Sequence, residues 1–169
     1  MNGRLGAALI AILLPVCLHA QTVQGRLTAN GASSANLTDV VAYEVESPTE
    51  PGYMDVVVLL SDRKLPREVV LNTEALQDMM LKDRLVALRV VLDPDGKIKN
   101  AAPYHPAFKN FIQSSLFVKW KPTAYKVEKI AGRIHTDGEQ QFAGQRWSYD
   151  ATFSTPIALD PEAKTIKKK

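Results

Sequence analysis

The stretch RWSYDATFS constrains the fold more than any other part of the chain. Trp147, Tyr149, Ala151 and Phe153 alternate with Ser148, Asp150, Thr152 and Ser154. A period of two marks a strand with one face buried and the other wet. A slip of one residue would bury Asp150 and expose the aromatic rings, so the facing is strongly set. Such a strand needs partner strands for its backbone and an apolar layer against its aromatic face. Pro156 is expected to end it.

The same pattern recurs upstream. VQGRLT places Val23, Gly25 and Leu27 on one side, and Asn30-Gly31 follows as a tight-turn signal. VVAYEVE sets Val41, Tyr43 and Val45 against Ala42, Glu44 and Glu46, before Pro48–Gly52 breaks the chain. MDVVVLLS and LVALRVVL are apolar on both faces, as in central strands covered on both sides or strands of a barrel wall. Arg89 interrupts the second of them, and its long stem would let the charge reach water. Asp93-Pro94-Asp95-Gly96 reads as a turn, with Pro94 presetting one backbone angle and Asp93 accepting from turn amides. KIKNA is a short strand, Pro103–Asn110 a loop, and SSLFVKW, AYKVEKI and AGRIHT are further strands. One helix is expected in LNTEALQDMMLKDR, capped by Asn72 or Thr73, with Leu76, Met79 and Met80 on a shared face. It would plug or cover one end of the sheet. Roughly eight to ten strands joined by short turns, with one short helix, predict an all-β fold, an antiparallel β-sandwich or barrel.

The N-terminus has a different character. Arg4 precedes an apolar run from Leu5 to Val16, and Leu18-His19-Ala20 provides a small residue at its exit. These are the three parts of a secretory signal peptide, and the run is shorter than the ~20 apolar residues a bilayer span requires. The expected organisation is a signal peptide over 1–20, a single β-rich domain over 21–158 and a flexible basic tail over 159–169. Removal of the signal would leave no transmembrane segment, and localisation would be periplasmic or secreted. Cys17, the chain's one cysteine, leaves with the signal. The remainder has no disulfide and no thiolate, so burial alone must stabilise it.

The formal charge of the chain is +3. Without Arg4 it is +2, and without Lys164, Lys167, Lys168 and Lys169 it is −2. The sequence pI of about 9.0 therefore reflects the tail rather than a basic face. Nucleic-acid binding, which calls for Lys and Arg clustered on one surface, is not expected.

Several short segments occur in a fixed order: Gly25-Arg26-Leu27-Thr28, Leu60-Ser61-Asp62, Tyr104-His105, Ala131-Gly132-Arg133 and Tyr149-Asp150-Ala151-Thr152-Phe153. Together they make the chain resemble a family of small exported, β-rich bacterial proteins of unassigned function. The resemblance implies a secreted or periplasmic β-rich domain, and it supplies no activity, cofactor or catalytic residue.

Motifs that would fix a reaction do not occur. Beyond the signal the histidines are His105 and His135, far apart and without a second ligand at helical or strand spacing. Asp93-Pro94-Asp95-Gly96 lacks the glutamate that closes a calcium loop; the twelfth position is Tyr104. There is no Gly-x-Ser-x-Gly elbow and no phosphate-cradling glycine loop. No catalytic residue, cofactor or metal is assigned on this basis. Ligand or partner contacts are expected at Tyr104 and His105, held between Pro103 and Pro106, and at Asp62, which follows the doubly apolar strand. The functional expectation is an exported binding or interaction domain of the cell envelope or secreted space. Its partner would be an envelope protein, a surface polymer or a small apolar ligand. The alternatives are an envelope hydrolase assembled from separated loops, and a structural module of the envelope.

Overall fold

The computed structural model describes residues 21–32, 34–109, 112–113 and 117–158. The expected signal peptide and basic tail lie outside the described residues. The chain runs β1 (Thr22–Ala29), β2 (Ala35–Leu37), β3 (Asp39–Glu46), β4 (Met54–Ser61), α1 (Arg67–Val70), α2 (Thr73–Lys82), β5 (Ala87–Leu92), β6 (Ile98–Tyr104), β7 (Lys119–Lys126), β8 (Lys129–His135), β9 (Gln140–Phe142) and β10 (Gln145–Ala158). All these strands belong to one mixed sheet, ordered β2-β1-β10-β3-β4-β5-β6, with β8 and β9 also on β10 and β7 on β8.

The strand β10 organises the sheet. Its aromatic face is buried at Trp147, Tyr149, Ala151 and Phe153, while Asp150 and Thr152 are exposed, as the alternation predicts. Residues Trp147–Ser154 run antiparallel to β1, and Asp150–Pro156 run antiparallel to β8. The strand does not stop at Pro156. That proline falls on the last rung of the β8 ladder, where a missing N–H costs least, and Ile157 and Ala158 then pair in parallel with Ala42 and Tyr43 of β3. This short parallel join corrects the expectation of a purely antiparallel sheet. A barrel is also excluded: among the described residues β6 pairs only with β5 and β2 only with β1, so the path has two open ends.

Burial explains why β4 lost its alternation: all eight of its residues are buried. On one side Val56, Val58 and Leu60 join Leu88, Val90, Leu27, Ile130, Ile134, Trp147 and Phe153 in a first cluster. On the other, Val57 and Leu59 join Tyr43, Ala87, Tyr104, Leu76, Met80 and Leu85 in a second, roofed by the helices. The strands that are apolar on both faces are thus central strands covered on both sides.

Helix α2 starts as expected. The Asn72 side chain accepts from the amides of Glu74 and Ala75, and Leu76 and Met80 are buried. It lies across a sheet face rather than plugging an end. Among the described residues there are two helices, not one. The four-residue α1 is too short to show a helical period, and it follows Pro66, whose φ of −60° suits a helix entry.

Two further boundaries differ from expectation. AYKVEKI is not one strand: β7 ends at Lys126 and β8 begins at Lys129, so the segment straddles a hairpin turn. Pro103 and Tyr104 belong to β6, not to a loop. An edge strand tolerates the proline because its outward N–H has no ladder partner to lose. At Gly132 the β7–β8 pair requires glycine. A Cβ there would lie 2.5 Å from the Lys121 carbonyl oxygen and 2.6 Å from the Trp120 ring. The bare backbone lets Trp120 lie over it and stack on Phe153, ring centres 5.6 Å apart. The Asn30-Gly31 turn forms with φ of 49° and 73°, the left-handed pair that a tight hairpin demands.

Candidate functional site

Three residues singled out from sequence come to the same end of the sheet. Ser61, Ala87 and Tyr104 are neighbours across β4, β5 and β6, and Asp62 and His105 each follow the last residue of their strand. Tyr104 has no exposed surface and packs in the helix-roofed cluster. Burial pushes its hydroxyl up to about 12, against the pull of the Arg89 cation. Asp62 accepts both arms of the Arg63 guanidinium at 2.8 Å, while its own amide donates to Val86. It is a turn acid whose charge is already paired.

His105 is 5% exposed. Its Nδ1 accepts from the Ala107 amide at 3.0 Å, and the ring meets Phe108 edge-on at 5.9 Å. Burial lowers its pKa below 6.5, nearby Arg84 adds to the effect, and Asp62 opposes it. The sign of the stability effect follows. The unfolded chain takes up this proton more readily than the fold, so the contribution of His105 is complete above pH ~6.5 and is lost as pH falls through the depressed folded value. Protonation of Nδ1 would also break the Ala107 bond. In urea titrations across this range, His105→Gln is expected to flatten the decline that the natural chain shows below pH ~6.5. An unchanged slope would refute the assignment.

A concavity lies elsewhere, over the helix-covered face of β3. Val41, Tyr43 and Val45 form its floor, and Leu65, Val70 and Leu71 its far wall. Its volume is about 910 Å³, within the range of ~300–1,000 Å³ common for small-molecule sites. Glu44, Glu46, Lys64 and Arg67 also line it, and Ala158 closes one side. The sequence builds this wall directly. The period-two pattern of β3 turns Val41, Tyr43 and Val45 to one face. The turn after Pro66 brings Val70 close enough for the Tyr43 hydroxyl to donate to its carbonyl at 2.9 Å.

Arg89 also lines the groove. Register sets Val41, Leu59 and Arg89 side by side across β3, β4 and β5. The side chain is half-buried rather than free in water, so its apolar stem carries the charge only to the groove. Burial raises the pKa of the Tyr43 hydroxyl, and the Arg89 guanidinium facing it opposes that rise. Among the described residues Arg89 makes no ion pair. A second concavity of about 660 Å³, on the outer face of β1, β8 and β10, differs on this point. There Arg133 is already held by Asp150 at 2.7 Å, and that contact lowers the Asp150 pKa.

The sequence signal for the groove was the lone cation in LVALRVVL, together with the apolar face of β3. What it lacked was α1, which supplies the far wall. Among the described residues no three His, Cys, Asp or Glu side chains gather as a metal site, and no helix is long and apolar enough to cross a membrane. No family model, curated protein or solved structure matches this chain.

Proposed function

We propose that the chain is an exported binding domain whose ligand is a small, largely apolar molecule held in the groove over β3. The half-buried Arg89, without an ion pair among the described residues, beside an apolar floor and wall carries this reading. A cation withdrawn from water is costly unless something compensates it, and a bound ligand supplies that compensation. A concave site with an apolar floor and wall suits a small molecule better than a surface polymer or a flat protein partner. Export rests on the order of charged start, apolar run and small exit residue at the N-terminus. The finer architecture is proposed as a sandwich, because the first cluster draws side chains from β1, β8 and β10 as well as from β3–β6.

Two measurements test the proposal. Intact mass of protein recovered outside the cytoplasm is expected to begin at Gln21, and a species retaining Met1 or Leu5 would count against export. The recovered protein is expected to bind an apolar fluorescent dye with one saturable site. Leu71 is 52% exposed on the groove wall, so Leu71→Asp spares the core. It is expected to weaken the dye by about 1–2 kcal/mol, or roughly fivefold to thirtyfold. Equal binding by the variant would remove the groove from consideration.

A further inference from the structure

We infer that the groove selects a monocarboxylate with an extended apolar body, the chemistry of a fatty acid, and that Arg89 reads the carboxylate. The inference rests on the binding reading above and adds the identity of the ligand's polar end.

Four observations support it. First, Arg89 is half-buried and has no ion pair among the described residues, while Arg133 of the outer concavity is paired with Asp150. The groove therefore offers a half-buried positive charge with no ion pair among the described residues, whereas the outer face's other cation, Arg26, is exposed to water. Second, arginine presents a planar fork of donors that matches a carboxylate with two parallel hydrogen bonds. Third, the Tyr43 hydroxyl has one proton and donates it to the Val70 carbonyl. Only its lone pairs remain for Arg89, so Tyr43 orients the guanidinium and does not itself donate to the ligand. Fourth, Glu44 and Glu46 also line the groove. Lys64 and Arg67 line it too and balance them, so Arg89 is left as the net charge, a match for a single carboxylate rather than for a dianion such as a phosphate monoester. The apolar floor and wall, from Val41 and Val45 across to Leu71, accept the chain that follows the head.

The test is calorimetric titration of the full chain, as recovered from outside the cytoplasm, with dodecanoate, dodecanol and dodecyl phosphate below their aggregation limits. Dodecanoate is expected to bind at least about tenfold tighter than dodecanol, in keeping with a charge-assisted bond. Arg89→Met is expected to lower dodecanoate affinity about tenfold to hundredfold and leave dodecanol unchanged. Arg89→Lys is expected to restore part of the difference, because it keeps the charge and loses the fork. Equal binding of dodecanoate and dodecanol by the natural chain overturns the carboxylate and leaves the groove standing. Tighter binding of dodecyl phosphate overturns it in favour of a phosphate. If neither these probes nor the apolar dye bind, the groove reading itself fails. Should Arg89→Met not fold, judged by circular dichroism, the dodecanoate-to-dodecanol ratio of the natural chain decides the matter.

Discussion

Phe153→Ala is expected to lower the free energy of unfolding by about 3–5 kcal/mol. Phe153 is 2% exposed and lies at the heart of the first cluster. Its backbone pairs with Val23 of β1 and Gly132 of β8, so three strands meet at this ring. The alanine would remove the transfer free energy of the ring and leave a void that a glycine on one side cannot fill. It would also strip Trp120 of its stacking partner. The adjacent Thr152→Ala is the control. Thr152 is exposed, so its loss should fall within about 0.5 kcal/mol. Denaturant titration of both variants reads the difference. Equal losses would mean that the facing of β10 is wrong.

Lys99→Met is expected to cost a comparable amount, about 3–5 kcal/mol, by stranding a buried carboxylate. The Asp55 side chain is 1% exposed and meets the Lys99 ammonium at 2.8 Å. The same ammonium donates to Ser47 at 3.0 Å and to Thr49 at 2.6 Å, so its three donors are all engaged. The pair thus ties the turn after β3 to the start of β4 and to β6. The Lys99 side chain remains 22% exposed, and water reaching it places the loss toward the lower end of the range. The double variant Lys99→Met, Asp55→Leu is expected to recover most of the stability, because an apolar pair needs no compensation. A double-mutant cycle measures the coupling, and additive losses would show that the two charges do not depend on one another.

Sequence patterning was most reliable where one residue's environment depends on its immediate neighbours. The facing of β10, the Asn72 cap of α2, the Asn30-Gly31 turn and the Asp93 turn, in which Asp93 Oδ1 accepts from the Lys97 amide at 2.7 Å, are all of this kind. Each is decided within a few residues by side-chain period, backbone conformation or a local hydrogen bond. The candidate groove was only half legible. Its floor appears in the alternation of VVAYEVE and its cation in LVALRVVL. Its wall is a single helical turn with too few residues to carry a period.

Tyr104 and His105 show the opposite limit. Two flanking prolines suggested a stiff, presenting loop, but proline is equally at home on an edge strand, and which holds depends on what lies across the sheet. Here the helices roof β6 and leave Tyr104 without exposed surface. For the same reason sequence left barrel and sandwich open. Alternation specifies that a strand has an inside, not which strand completes the ladder. By itself, then, the sequence determined a β-rich chain, the inward face of β10, the apolar character of both faces of β4 and β5, and one capped helix. The tertiary structure alone decided that β10 runs past Pro156 to join β3 in parallel, that the sheet stays open, and that Arg89 stands in a groove with no ion pair among the described residues. These are contacts between residues far apart in sequence, and no local pattern records which of the available partners will meet.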